Sequence, residues 1–176
     1  TIGFVGSFSE RKRPDWLIRA GLALLREGFD LQFVLCGEDY SNGLIKARLE
    51  RLVTEAGSSN RFYFLGYQQL MAPIMKAMDV LVLLSTSEAF ARVILEAMAC
   101  EVAVLATNVG GVSEVVLHGK TGMVVAPDDF DEFQKTLRMP RYTILISSGP
   151  WRTLGRLAEA SPSCGGTCLP TLPSQS

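Results

Sequence analysis

Two short stretches of the chain gather the side chains best suited to chemistry. The first, residues 6–13, holds Gly6, Ser7, Arg11, Lys12 and Arg13. The second, residues 85–92, holds Ser85, Thr86, Ser87 and Glu88 just ahead of a segment with helical period. A cationic loop facing a helix N-terminus suits a diphosphate, which needs backbone donors, a favourable dipole and a neutralising ammonium. Glu96 follows Glu88 by eight residues within Val93-Ile94-Leu95-Glu96-Ala97-Met98. A carboxylate in such apolar company needs a partner, and the spacing aims it at the same crevice as Glu88. A third loop ends in Gly110-Gly111, a pair that lets backbone approach a ligand closely. Each feature also has a plainer reading: Lys12 as a solvated loop cation, Ser87 or Glu88 as a helix cap, Gly110-Gly111 as another cap.

Other catalytic sets are missing from the sequence. His118 is the single histidine; it sits in a Leu-His-Gly-Lys-Thr-Gly turn and reads as a capping residue, not a general base. Without H-x-x-x-H most zinc hydrolase patterns are excluded, and there is neither a G-x-S-x-G elbow nor a G-x-x-x-x-G-K-[ST] loop. Glu38 follows the second strand, where the ribose-binding acid of a dinucleotide enzyme would stand. Yet residues 3–8 lack the third glycine and the spacing of G-x-G-x-x-G, so a nicotinamide enzyme is a weak reading. Asp129 and Asp131 have the spacing of a metal motif, but with Asp128 they head the last helix, where they complement its dipole.

The elements that must position these residues alternate strictly. Apolar strand-like runs fall at 2–6, 31–36, 61–65, 79–84, 102–106 and 122–125. Helical periods occupy 14–28, 44–56, 68–78, 91–100 and 112–117, with a last helix from Asp128. Six mostly apolar strands between helices predict an α/β fold, a Rossmann-like doubly wound parallel sheet of order 3-2-1-4-5-6. In such a sheet ligands bind beyond the carboxyl ends of the strands, at the switch point between the first and fourth. Those ends are residues 6–13 and 85–92.

Composition bounds the rest. The 176 residues are 48% hydrophobic and 20% charged, with a net charge of −1, which argues against a sequence-independent nucleic-acid binder. No apolar run reaches the ~18 residues of a membrane span. Cys36 and Cys100 each close an apolar segment and read as free thiols, while Cys164 and Cys168 lack a second pair of ligands; a reducing, cytoplasmic setting is expected. Thr1 leads straight into a strand, so the sequence reads as an excerpt of a longer protein. Residues 1–137 form one domain of net charge −4. Residues 138–176 carry +3 with five prolines and six serines, and read as an atypical tail, disordered or out of frame.

The residues 87–99, Ser-Glu-Ala-Phe-Ala-Arg-Val-Ile-Leu-Glu-Ala-Met-Ala, resemble the E-x7-E segment of the retaining group 1, or family 4, glycosyltransferases of the GT-B fold. The resemblance continues in register through Val5-Gly6 to Lys12-Arg13-Pro14-Asp15, Phe64-Leu65-Gly66, Val109-Gly110-Gly111-Val112-Ser113-Glu114-Val115 and Gly119-Lys120-Thr121-Gly122. It implies the C-terminal, donor-binding half of such an enzyme, with the acceptor (glycan, lipid or small molecule) held by a missing N-terminal domain. It further implies a UDP- or GDP-sugar donor, metal-independent transfer and no cofactor. Lys12 would contact the diphosphate and Glu88 the sugar. Backbone at Gly6, Ser7, Ala89, Phe90, Ala91, Val93, Ile94, Gly110 and Gly111 would line the donor, and Glu96 would accept from the ribose hydroxyls.

Departures accompany the likeness. Ser7 stands where the family has Arg, a charge that Arg11 or Arg13 would have to replace. Ala89 and Ala91 stand for glycines, and Ala91 is expected to crowd the donor or strain φ. Glu101 and Ala103 replace a Gly and a Pro in the turn into strand 5. A catalytically impaired binding module is therefore a second reading, and a GT-B epimerase or phosphorylase a third.

Overall fold

A computed structural model describes residues 1–89 and 91–139; the tail expected from 138 lies beyond them apart from its first two residues, as do Phe90, Cys164 and Cys168. The strands are β1 (Ile2–Val5), β2 (Phe33–Cys36), β3 (Phe62–Gly66), β4 (Val80–Leu83), β5 (Ala103–Thr107) and β6 (Met123–Val125). The helices are α1 (Pro14–Arg26), α2 (Leu44–Glu55), α3 (Met71–Lys76), α4 (Arg92–Ala99), α5 (Val112–Val115) and α6 (Phe130–Arg138). All strand pairs are parallel and the order is β3-β2-β1-β4-β5-β6, as the sequence predicts.

The continuous apolar runs are explained by burial on both faces. Successive residues of a strand point to opposite sides, so Val80 and Val82 join one core and Leu81 and Leu83 the other. The first core is closed by α1, α2 and α6 through Leu17, Ile18, Leu24, Leu49 and Phe133. The second is closed by α3 and α4 through Met75, Ile94 and Ala97. Along one flank Trp16 meets Phe130 edge-on at 5.3 Å and also touches Phe133, while Arg138 grips Glu27 with two hydrogen bonds of 2.6 and 2.8 Å. This flank fastens the last helix onto the first.

Element ends follow local chemistry. Pro14 opens α1 and Pro73 is the third residue of α3, both where the missing N–H is not needed. α3 is shorter than the expected 68–78 because Leu70 is extended and the chain turns at Ala77 and Met78. Helices α1, α2 and α4 all finish in the same double-bonded turn: the amides of Phe29, Ser58 and Val102 reach back to Leu24, Val53 and Ala97. The left-handed position is glycine in two of these turns, Gly28 and Gly57. In the third it is Glu101, at φ +62°. Met139, which precedes Pro140, is extended and ends α6. Cys36 and Cys100 are free, and burial pushes the Cys36 thiol up to about 11.

Candidate functional site

At the switch point between β1 and β4 the two loops singled out in the sequence are sewn together. The Thr86 amide donates to the Arg11 carbonyl at 2.8 Å, and the Arg11 guanidinium donates to the Ser87 carbonyl at 2.6 Å. The amides of Lys12 and Arg13 both turn back onto the Ser9 carbonyl, a tight bend that lays the Lys12 stem over Gly6. Lys12 Nζ then donates to Glu88 Oε1 in an ion pair between side chains only 13% and 9% exposed. Arg11 reaches the same oxygen at 3.5 Å, and Ser85 Oγ donates to it at 2.5 Å. Burial alone would push the Glu88 carboxyl up. The hydrogen bonds from Lys12 and Ser85 and the charges of Lys12 and Arg11 outweigh that, holding it below the usual carboxylate range.

Gly110 has a part that the sequence reading did not assign. At φ +53° it packs on Glu88 so closely that a Cβ would collide with the Glu88 carbonyl oxygen. The close approach expected of this glycine is therefore made to the protein's own Glu88 loop. Gly111 is the residue that caps α5. Ser85 and Thr107, to which no spacing in the sequence assigns a role, also belong to this region. Both are fully buried, and Thr107 Oγ1 donates to the Ser85 carbonyl at 2.7 Å. The signal was present: each is a hydroxyl residue ending an otherwise apolar strand run.

Other expected site residues divide. Gly6 and Ser7 are half-buried beside Lys12, and Ala89 is exposed next to Glu88. Ala91 has φ −86°, so the strain expected of it is absent: the turn does not enter the left-handed region. Val93 and Ile94 face the second core, and the Ile94 amide is bonded to the Ala91 carbonyl. That narrows the first-turn donors of α4 to Arg92 and Val93. Glu96 is exposed, contrary to the half-buried, partner-seeking carboxylate expected, because it shares the outer face of α4 with Arg92 and Ala99.

Arg13, one of the two candidates for the charge that Ser7 lacks, is engaged elsewhere. Its guanidinium donates to the Pro127 carbonyl and to Asp128 Oδ1 at 2.6 Å, and it lies 4.6 Å from the centre of the Trp16 ring. Arg11, half exposed, is the cation left near Lys12. Elsewhere the plain readings hold: His118 Nδ1 braces a turn against Val124, and Asp129 caps α6 by accepting from the Glu132 amide at 2.7 Å. Glu38 is exposed, and its carbonyl accepts from the Phe8 amide.

Residues 1–139 match the family model described as Glycosyl transferases group 1. The chain belongs to that family. The D-inositol 3-phosphate glycosyltransferase of Corynebacterium urealyticum is 35% identical over 133 residues, covering 73% of this chain and 31% of that protein. The chain spans about a third of the length of the curated relatives it matches. The C-terminal domain of a group 1 family protein, LpcC from Francisella tularensis, aligns with a TM-score of 0.70 at 30% identity, covering 86% of this chain and 77% of that one. Anabaena Alr3699/HepE, solved in complex with UDP, gives 0.76 at 26% identity over 90% of this chain and 43% of its own. The described residues thus form the Rossmann-like C-terminal domain of a group 1, GT-B glycosyltransferase. Among them, no helix is long and apolar enough to cross a membrane.

Proposed function

We propose that this domain binds the donor, a UDP- or GDP-sugar, for a retaining, metal-independent glycosyl transfer to an acceptor held by a partner N-terminal domain. The observation that carries the reading is the convergence of Lys12, Arg11 and Glu88 at the switch point, beside the first turn of α4. The UDP and UDP-glucose complexes of Anabaena Alr3699/HepE support the donor class.

In this reading the diphosphate draws Lys12 and Arg11 to itself, with the first-turn amides of α4 as further donors. The bond between the anomeric carbon and the diphosphate oxygen breaks, and negative charge grows on the leaving oxygen. Fixed cations there favour the transition state over the ground state. The acceptor oxygen bonds to the same face of the anomeric carbon, and its proton passes to the departing phosphate. Glu88 holds and stabilises the cationic sugar. Glu96, exposed on α4, accepts from the ribose hydroxyls. The reaction takes place in the cytoplasm.

Calorimetric titration of the chain with UDP and GDP tests the reading. Millimolar or tighter binding of one nucleotide is expected; no heat with either would overturn it. One observation favours the impaired module as a second reading. Ser7 supplies no cation, and Lys12 is already neutralised by Glu88, so a diphosphate must compete with a carboxylate for its chief partner. An assembled enzyme that binds donor yet transfers no sugar would decide for that module.

A further inference from the structure

We propose that Ser85 is the positioning residue for Glu88, its hydroxyl holding the carboxylate in place when Lys12 and Arg11 turn to a bound diphosphate. The inference rests on the donor-site reading above and adds to it a residue that takes no part in binding the phosphates.

Among the described residues three donors converge on Glu88 Oε1: Lys12 Nζ, Ser85 Oγ at 2.5 Å and Arg11 Nη1 at 3.5 Å. Two of them are cations, which a diphosphate attracts away. The third is neutral and cannot follow it. Ser85 is also fixed where it stands. It is fully buried, and Thr107 Oγ1, itself buried on β5, donates to the carbonyls of Ser85 at 2.7 Å and Leu83 at 3.3 Å. Gly110 packs directly on the Glu88 carbonyl, so closely that a Cβ there would collide with it. Glu88 thus has one side-chain donor, Ser85, that lies outside the loop carrying the cations, although that loop is itself bonded to Thr86 and Ser87. Oε2 takes none of the three donors and is the edge presented to a sugar hydroxyl. A hydroxyl donated to a carboxylate favours its charged form, which is purely an acceptor. With Lys12 engaged elsewhere, Ser85 keeps Glu88 in that form.

The test measures dissociation constants for UDP and UDP-glucose by calorimetry from pH 4 to 8. It compares the wild-type chain, Ser85→Ala, Glu88→Gln and the double variant, with a melting curve for each. Ser85→Ala should weaken UDP-glucose relative to UDP about tenfold, the effect of losing a hydrogen bond to a charged group. The acidic limb of that ratio should move to higher pH. In the Glu88→Gln background Ser85→Ala should change the ratio no further, since its effect passes through the carboxylate. An unchanged ratio and pH limb in Ser85→Ala would overturn the inference while leaving the donor site standing. So would an effect of equal size in the Glu88→Gln background, which is what a role in packing gives. A wild-type chain that binds neither ligand overturns the donor-site reading and this inference with it.

Discussion

Lys12 and Arg13 follow one another in the loop after β1, yet their charges go to opposite sides of it. Lys12 meets Glu88, a carboxylate 9% exposed, in the crevice between β1 and β4. Arg13 meets Asp128, 80% exposed, together with the Pro127 carbonyl and the Trp16 ring, and ties the loop to the start of α6. Both are cations in ion pairs, and both pairs lie near a helix N-terminus, but only the first is buried and shared among several donors. Arg13 belongs instead to the flank in which Trp16, Phe130, Phe133 and the Arg138–Glu27 pair hold α6 on α1. In the reading proposed above, a charge is functional or structural according to what the fold places opposite it. Adjacency in sequence decides nothing.

Mutations separate the two regions. The largest effect is expected on the flank: Phe133→Ala empties a fully buried site and should cost about 3–5 kcal/mol in a denaturant titration. Lys12→Ala should weaken UDP binding by about 2 kcal/mol, roughly thirtyfold, while the fold persists because Ser85 and Arg11 still serve Glu88. Arg13→Ala should show the reverse pattern, losing about 1 kcal/mol of stability with the UDP affinity retained. Equal binding losses in the two variants would erase the distinction drawn between them.

The pH dependence of stability sharpens it further. Glu88 is held below its ordinary value of 4.5 in the folded chain. Its contribution is therefore complete above the unfolded value and is lost as pH falls through the folded one. Acid titration followed by circular dichroism should show a shallower loss of stability below about pH 4 in Glu88→Gln than in the wild type.

The smallest expected effect lies at the far end of α4. Glu101 occupies the left-handed position that Gly28 and Gly57 take in the equivalent turns of α1 and α2. Glu101→Gly should stabilise the chain by about 1 kcal/mol, read as a rise in melting temperature. It should not alter UDP binding.

Much of this was legible in the sequence. Strands buried on both faces read as continuous apolar runs, so β4 and β5 announced themselves, and the parallel order followed from the alternation with helices. The two loops of the site were legible because the switch point follows from that order. The pairing inside the site was not. Lys12 and Glu88 stand 76 residues apart, and no local spacing couples them. Glu96 misled for a different reason. Its sequence neighbours Val93, Leu95 and Met98 are apolar, but each residue turns the helix by about 100°, so apolar company along the chain does not bury the position between them. Gly110 was legible only as a place of close approach, because the sequence does not say whose backbone approaches. Here it is that of Glu88.

The central claim, that the crevice between β1 and β4 receives a nucleoside diphosphate, is tested most directly by following backbone amide resonances while UDP is added. Shifts should concentrate at residues 6–12, 85–93 and 110–111 and should vanish in Lys12→Ala at the same nucleotide concentration. Shifts confined to the opposite ends of the strands or to the α1–α6 flank, or unchanged by Lys12→Ala, would contradict the account.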